Sequence, residues 1–405
     1  MPLKKQQKSM NVPASFINSL GTAVPGAAIP QAKIAGFMAE ALQLDTHDQR
    51  RLTALYRQTR IDRRHSVLPD YARSRGEYTF YPNTDGLEPF PTVSQRMALY
   101  RQEAVPLALN AIQDCLLNYP GFNKQSITHI VTVSCTGLYA PGPDIEIIEA
   151  LGLPGTTQRM AINFMGCYGA FNGLKAADAI VRSTPGAVVL VVCVELCTLH
   201  FQKKNDLDNL LANALFADGA AAVLVAGTAR PDRAMCLRSF YCDLLPAGKA
   251  AMAWHVTDFG FEMTLTADVP TVIQQGIGRM LSRLLEQTGL SISDIGTYAL
   301  HPGGRRILEV IEGQLGLDPA DNRYAYEVLK QFGNMSSATV LFVLKAIWHD
   351  LEKIGTAQGE NGAFNVLSCA FGPGLTLESM ILEARYVPEA RPVPVLAPPT
   401  GQVLA

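Results

Sequence analysis

Long hydrophobic runs are missing from this chain of 405 residues: no apolar stretch reaches about 18 residues, so no segment is expected to span a membrane. The N-terminus, MPLKKQQKSMNVPASFINSL, carries lysines but no apolar core ahead of a small-residue cleavage site, which disfavours a secretory signal. Charge of one sign is missing too. Lysine and arginine number 34 against 36 aspartates and glutamates, a net of -2, which leaves no broad basic field for nucleic acid. Cysteine is sparse and irregular, with eight residues at 115, 135, 167, 193, 197, 236, 242 and 369. That excludes a small secreted disulfide framework and predicts a reducing, cytoplasmic setting.

What is present suffices for a sizeable core. Hydrophobic residues make up 48% of the chain and charged ones 17%, the composition of a compact globule of two domains or two fused halves. The short apolar runs HIVTVSC (129–135), AVVLVVCVE (187–195), AAAVLVAG (220–227) and GAFNVLSCAFG (362–372) predict buried strands. Between them, EAVPLALNAIQDCLLNY (103–119) and TVIQQGIGRMLSRLLEQTG (271–289) carry apolar residues at helical spacing. The class is therefore α/β.

Two of these units read alike. SITHIVTVSCTG (126–137) and SISDIGTYALHPG (291–303) share Ser-Ile-x-x-Ile, a strand and a polar loop, which sets His301 opposite Thr136. Further on, GCYGAFNGLKAADAIV (166–181) matches GNMSSATVLFVLKAIW (333–348), and GAVVLVVC (186–193) matches GAFNVLSC (362–369), so Cys167 aligns with Asn334. A duplication of this kind packs two α/β halves about a pseudo-two-fold axis and brings Cys167, His301 and Asn334 together. The expected parts are 1–245, 246–386 and a proline-rich, extended tail, 387–405.

Each of the three residues has a plain reading and a chemical one. A thiol in the first turn of a helix feels the positive end of the backbone dipole, which favours thiolate, but Cys167 also reads as a small buried hydrophobe. It has no second cysteine two or three places away, which argues against a zinc or redox pair. His301, in ALHPGGRR, sits at a turn; it is either a satisfied structural side chain or an imidazole that pairs with the thiolate. Asn334 reads as a helix N-cap, or as a donor that joins His301 on the enolate oxygen formed when a malonyl thioester loses carbon dioxide.

Together with GCYGAFNGLKAA around Cys167, the segments LFADGAAA (215–222), LHPGG (300–304), GNMSSATVLFVL (333–344) and AFGPGLTLE (370–378) give a resemblance to a known family. Over residues 14 to 385 the chain resembles the type III polyketide synthases, the chalcone and stilbene synthase group of the thiolase superfamily. The resemblance implies a homodimer of five-layered αβαβα subunits built from two pseudo-symmetric halves. It further implies Cys167 as acyl-carrying nucleophile, His301 and Asn334 assisting decarboxylation and condensation, starter acyl-CoA and malonyl-CoA as substrates, and neither a metal nor a bound organic cofactor.

Phe216 matches the family's gatekeeper, and Met263 stands where a second phenylalanine is usual, a softer packing that favours longer chains. The loop Gly372, Pro373, Gly374 matches the glycine-rich loop beside the cyclisation cavity. Other positions implied to line the cavity are Cys135, Thr136, Cys197, His200, Trp254 and Ser336, several of them unlike the plant chalcone-forming pattern. Ala140 stands where the family often has a methionine reaching across the dimer, and its small side chain would open extra volume. Met263 and Ala140 lean the expected starter towards an aliphatic acyl group. Arg57, Arg60, Arg63 and Arg64 are candidates for the CoA phosphates. The rivals are a single-condensation ketoacyl synthase III type enzyme, which the HPGG, GNMSSAT and FGPG set disfavours, a non-catalytic thiolase-fold partner protein, and a cysteine hydrolase, for which no Asp or Asn orienting His301 is evident.

Overall fold

The computed structural model describes residues 14–26, 28–357 and 362–387; most of the proline-rich tail lies outside the described residues. Among the described residues the strands, in chain order, are β1 (Phe16–Ala23), β2 (Ile29–Pro30), β3 (Arg63–Arg64), β4 (His129–Ser134), β5 (Gln158–Asn163), β6 (Val188–Leu196), β7 (Asp218–Ala226), β8 (Arg233–Leu244), β9 (Met252–Thr257), β10 (Gly260–Leu265), β11 (Ile295–Leu300), β12 (Ala363–Gly372) and β13 (Thr376–Tyr386). The four apolar runs correspond to β4, β6, β7 and β12. Their continuous hydrophobicity follows from burial on both faces: every residue of β4 is buried, as are all but the first of β6.

Nine strands hydrogen-bond in the order β11-β12-β13-β8-β1-β7-β6-β4-β5. Outward from β1 the order is β7, β6, β4, β5, with two antiparallel and then two parallel pairings; outward from β8 it is β13, β12, β11, with two antiparallel pairings and then a parallel one. The second array repeats the first without its outermost strand, which is the duplication read from the sequence. The arrays pair where Phe16 and Ile17 of β1 face Cys236 and Met235 of β8, next to a bond from Leu237 N–H to Ser15 O at 2.9 Å. Between them run two helices, Gly169–Ser183 and Thr339–His349. The second of these is buried all round from Thr339 to Leu344, as a central layer requires. The helix Val93–Leu117 covers the outer face of the first array and Val269–Thr288 that of the second, which completes the layers αβαβα.

Candidate active site

The two central helices start alike. Gly166–Tyr168 and Ser336–Ala338 each form one tight 3-10 turn that runs into the helix, and the duplication puts Cys167 in the first turn and Asn334 just ahead of the second. Gly166 has φ +76°, and a Cβ there would lie 2.2 Å from Pro373 Cδ, so only glycine lets the FGPG loop pack on the cysteine turn. Cys167 Sγ lies 4.0 Å from Asn334 Oδ1. The same oxygen accepts from Ser336 N at 2.9 Å, but the cap position of the turn is Met335, so Asn334 stands one residue ahead of the N-cap expected of it. Asn334 Nδ2 donates to Gly303 O at 3.2 Å, in the loop that follows His301, and leaves its second N–H for a ligand.

His301 directly follows β11, its N–H bonded to Cys369 O at 2.9 Å, and its ring is fully buried with neither nitrogen hydrogen-bonded. A buried polar ring without partners is rare in a folded protein and fits a group that waits for substrate. Burial drives its pKa down to about 3 and pushes the Cys167 thiol up to about 12, with the Ser336 hydroxyl opposing part of the latter shift. Desolvation thus outweighs the helix-start effect on which the thiolate expectation rested and favours the thiol and the neutral imidazole.

A small lobe beside this group, about 10 Å³, is lined by Cys135, Thr136, Cys197, Phe216, Trp254, Met263, Ser336, Gly166 and Pro373. Those positions share this one space, while Ala140 lines a separate groove of about 470 Å³ along β5. His200 is saturated: Nε2–H donates to Thr136 O at 2.6 Å and Nδ1 accepts from Phe261 N at 2.9 Å. A larger cavity of about 600 Å³, bordered by Leu211, Leu215 and Gly303, has Arg57, Arg60, Arg305 and Arg306 in its lining. Arg63 lies outside it, bonded to Gln331. Arg64 is only 2% exposed and holds Gln31 Oε1 and Phe216 O, which leaves it no phosphate to reach from the mouth.

Sequence reasoning missed two features. Arg305 and Arg306 follow the HPGG motif and reach the mouth. Glu195 is fully buried on β6 without a cation, accepting from Cys135 N, Cys135 Sγ, Thr136 Oγ1 and Ser337 Oγ; burial raises its pKa. Its signal was a lone glutamate inside the apolar run AVVLVVCVELC.

Comparison with known proteins adds the family. The chalcone and stilbene synthase N-terminal domain matches residues 3–229 and the C-terminal domain of the same family matches 237–386. An alpha-pyrone synthesis polyketide synthase-like protein, Pks18 of Mycobacterium tuberculosis, is 30% identical over 373 residues, 91% of each chain. Type III polyketide synthase A of Arabidopsis thaliana is 31% identical over 389 residues, 94% of this chain and 95% of that one. Among solved structures, the C-terminal type III polyketide synthase domain of Steely1 from Dictyostelium superposes with a TM-score of 0.81 at 29% identity, covering 92% of this chain and 100% of that one. PKS-I of the brown alga Ectocarpus siliculosus does so with 0.85 at 27%, covering 94% and 100%. With both domains matched and the layered fold shared, the chain belongs to the chalcone and stilbene synthase family of type III polyketide synthases, acyltransferase-class enzymes of thiolase-like fold.

Proposed function

We propose that the protein loads an aliphatic acyl group from acyl-CoA onto Cys167, extends it by decarboxylative condensation with malonyl-CoA, and releases a cyclised pyrone, resorcinol or phloroglucinol-type product. A pyrone leads, in keeping with the printed name of the mycobacterial relative. The observation that carries the reading is the buried His301 ring with both nitrogens unpartnered, whose neighbouring loop residue Gly303 holds the Asn334 amide while the Asn334 oxygen faces Cys167. In loading, Cys167 sulfur attacks the thioester carbonyl, its proton passes to the His301 imidazole, and CoA leaves as the thiol. In extension, malonyl-CoA loses carbon dioxide and the electron pair moves onto the thioester oxygen. His301 and the free Asn334 N–H donate to that oxygen; the enolate carbon then attacks the acyl-Cys167 carbonyl, and the tetrahedral adduct collapses by breaking the C–S bond and releasing the Cys167 thiolate, leaving the extended chain on CoA.

None of these steps calls on a metal or a resident organic cofactor. The mouth cavity suits a pantetheine arm, with Arg57 and Arg60 near the phosphates. Among the described residues no helix is long and apolar enough to cross a membrane. A cytoplasmic homodimer without a nucleic-acid partner completes the reading.

The test is mass spectrometry of products from purified protein given malonyl-CoA and a panel of acyl-CoA starters. Polyketide masses are expected from the wild type and none from Cys167→Ala. Asn334→Ala is expected to keep acyl loading while losing about 10²–10³ in malonyl decarboxylation, the usual cost of one oxyanion donor. Absence of polyketide with every starter sinks the proposal.

A further inference from the structure

The mouth cavity of about 600 Å³ sets four arginines against a single carboxylate, Glu309. That carboxylate is already engaged: it pairs with Arg305 at 2.7 Å, one turn away on the helix Arg305–Leu315. Arg306, the next residue, is exposed and makes no ion pair among the described residues. It is a cation at the mouth with nothing to neutralise it.

The wall of the same cavity holds the Asn334 amide. Leu215 and Gly303 both line the mouth, and Asn334 is bonded to each, its backbone N–H to Leu215 O at 2.9 Å and its Nδ2–H to Gly303 O at 3.2 Å. Gly303 also backs onto the imidazole, since a Cβ there would lie 3.5 Å from His301 Nε2. One glycine thus touches both groups that meet the enolate oxygen. It is followed by a second, Gly304, which caps the helix that carries Arg306. Two successive glycines have wide backbone freedom, so they form a soft link between that helix and the amide. The Gly303 carbonyl is fixed no better than the helix start beyond it, and an anion gripped by Arg306 fixes that start.

Resting on the polyketide synthase reading, we infer that Arg306 is a positioning residue for decarboxylation. It holds a phosphate of malonyl-CoA and, through Gly304 and the Gly303 carbonyl, aligns the Asn334 amide with the thioester oxygen. Binding energy from a remote part of the substrate then acts on the transition state and appears in kcat. Arg57 and Arg60 reach the cavity from the end of the helix Thr46–Gln58, a segment that holds neither Asn334 nor His301, and contribute affinity alone.

The experiment follows initial carbon dioxide release by the purified full-length protein, with no starter added, from malonyl-CoA and from malonyl-N-acetylcysteamine. The second thioester has the same reacting group and no phosphate; in both, the enolate carbon takes a proton from water to give the acetyl thioester. Wild type is expected to show a kcat about tenfold lower on the truncated thioester, within the roughly 10²-fold that a displacement of about 1 Å costs. Arg306→Ala is expected to lower kcat on malonyl-CoA by a similar factor, and Arg306→Lys, which keeps the charge, to recover most of it. Arg57→Ala is expected to raise KM instead. Removing the phosphates and removing Arg306 should lower kcat once, not twice, because both break the same link. A rise in KM alone or no change for Arg306→Ala, equal kcat for the two thioesters with wild type, or losses that multiply, overturns the proposal while the synthase reading stands. Absence of carbon dioxide release from malonyl-CoA by wild type overturns both.

Discussion

Burial holds the pKa values of His200 and His301 down to about 3, against an ordinary 6.5. A group whose folded pKa is depressed in this way leaves the unfolded chain holding a proton that the folded chain refuses. Below about pH 6.5, therefore, each histidine costs stability, and the loss deepens by about 1.4 kcal/mol per pH unit until the folded pKa is reached. Urea unfolding between about pH 7 and about pH 5 reads this slope. His200→Asn removes one titrating group, so its stability is expected to fall less steeply with acid by roughly 1.4 kcal/mol per pH unit, although its stability at neutral pH is lower. An unchanged slope would show that His200 is protonated in the folded state, and that its bond to Phe261 N–H is not the one described.

At the scale of elements, the turn at Gly166–Tyr168 governs where the nucleophile stands. Gly166→Ala places a side chain at positive φ, a cost of about 1–2 kcal/mol, and drives it into Pro373. The turn must shift, and displacement of a reacting atom by about 1 Å can cost about 10²-fold in rate. Acyl loading of Cys167 is expected to fall by about that factor with only a few degrees' loss in Tm; loading at the wild-type rate would show that the FGPG loop yields instead. Elements of this kind were legible in the sequence because their signals are local: apolar runs gave β4, β6, β7 and β12, and matched segments set Cys167 opposite Asn334. The four arginines of 57–64 were not separable in that way. Arg64 enters the core because Gly333 lacks a Cβ, which would otherwise stand 2.9 Å from Arg64 Cδ and Cγ, a contact between distant parts of the chain. Glu195 escaped notice for the same reason, since its partners come from the loop after β4 and from the start of the second central helix.

For the whole molecule, the open question of surface is the edge of the nine-stranded sheet. β5 is its outermost strand, and five of its six residues are exposed, with Met160 at 44%. Leu138, also exposed, lies beside it along the groove that Ala140 lines. A bare edge strand with exposed apolar side chains invites pairing with another chain unless something covers it. Among the described residues the second array has no counterpart of β5, so the duplication provides one such edge and no internal partner for it. Two copies related by a two-fold axis would satisfy both edges at once and cover Met160 and Leu138, whereas a head-to-tail arrangement would leave one edge open. Light scattering behind size exclusion is therefore expected to give twice the chain mass of 43.8 kDa. Met160→Lys is expected to shift the protein towards monomer at micromolar concentration, because a charge on each strand would face its own copy across the axis. A wild type that runs as a monomer would remove the dimer from the proposed function. A Met160→Lys dimer as tight as wild type would place the interface away from β5.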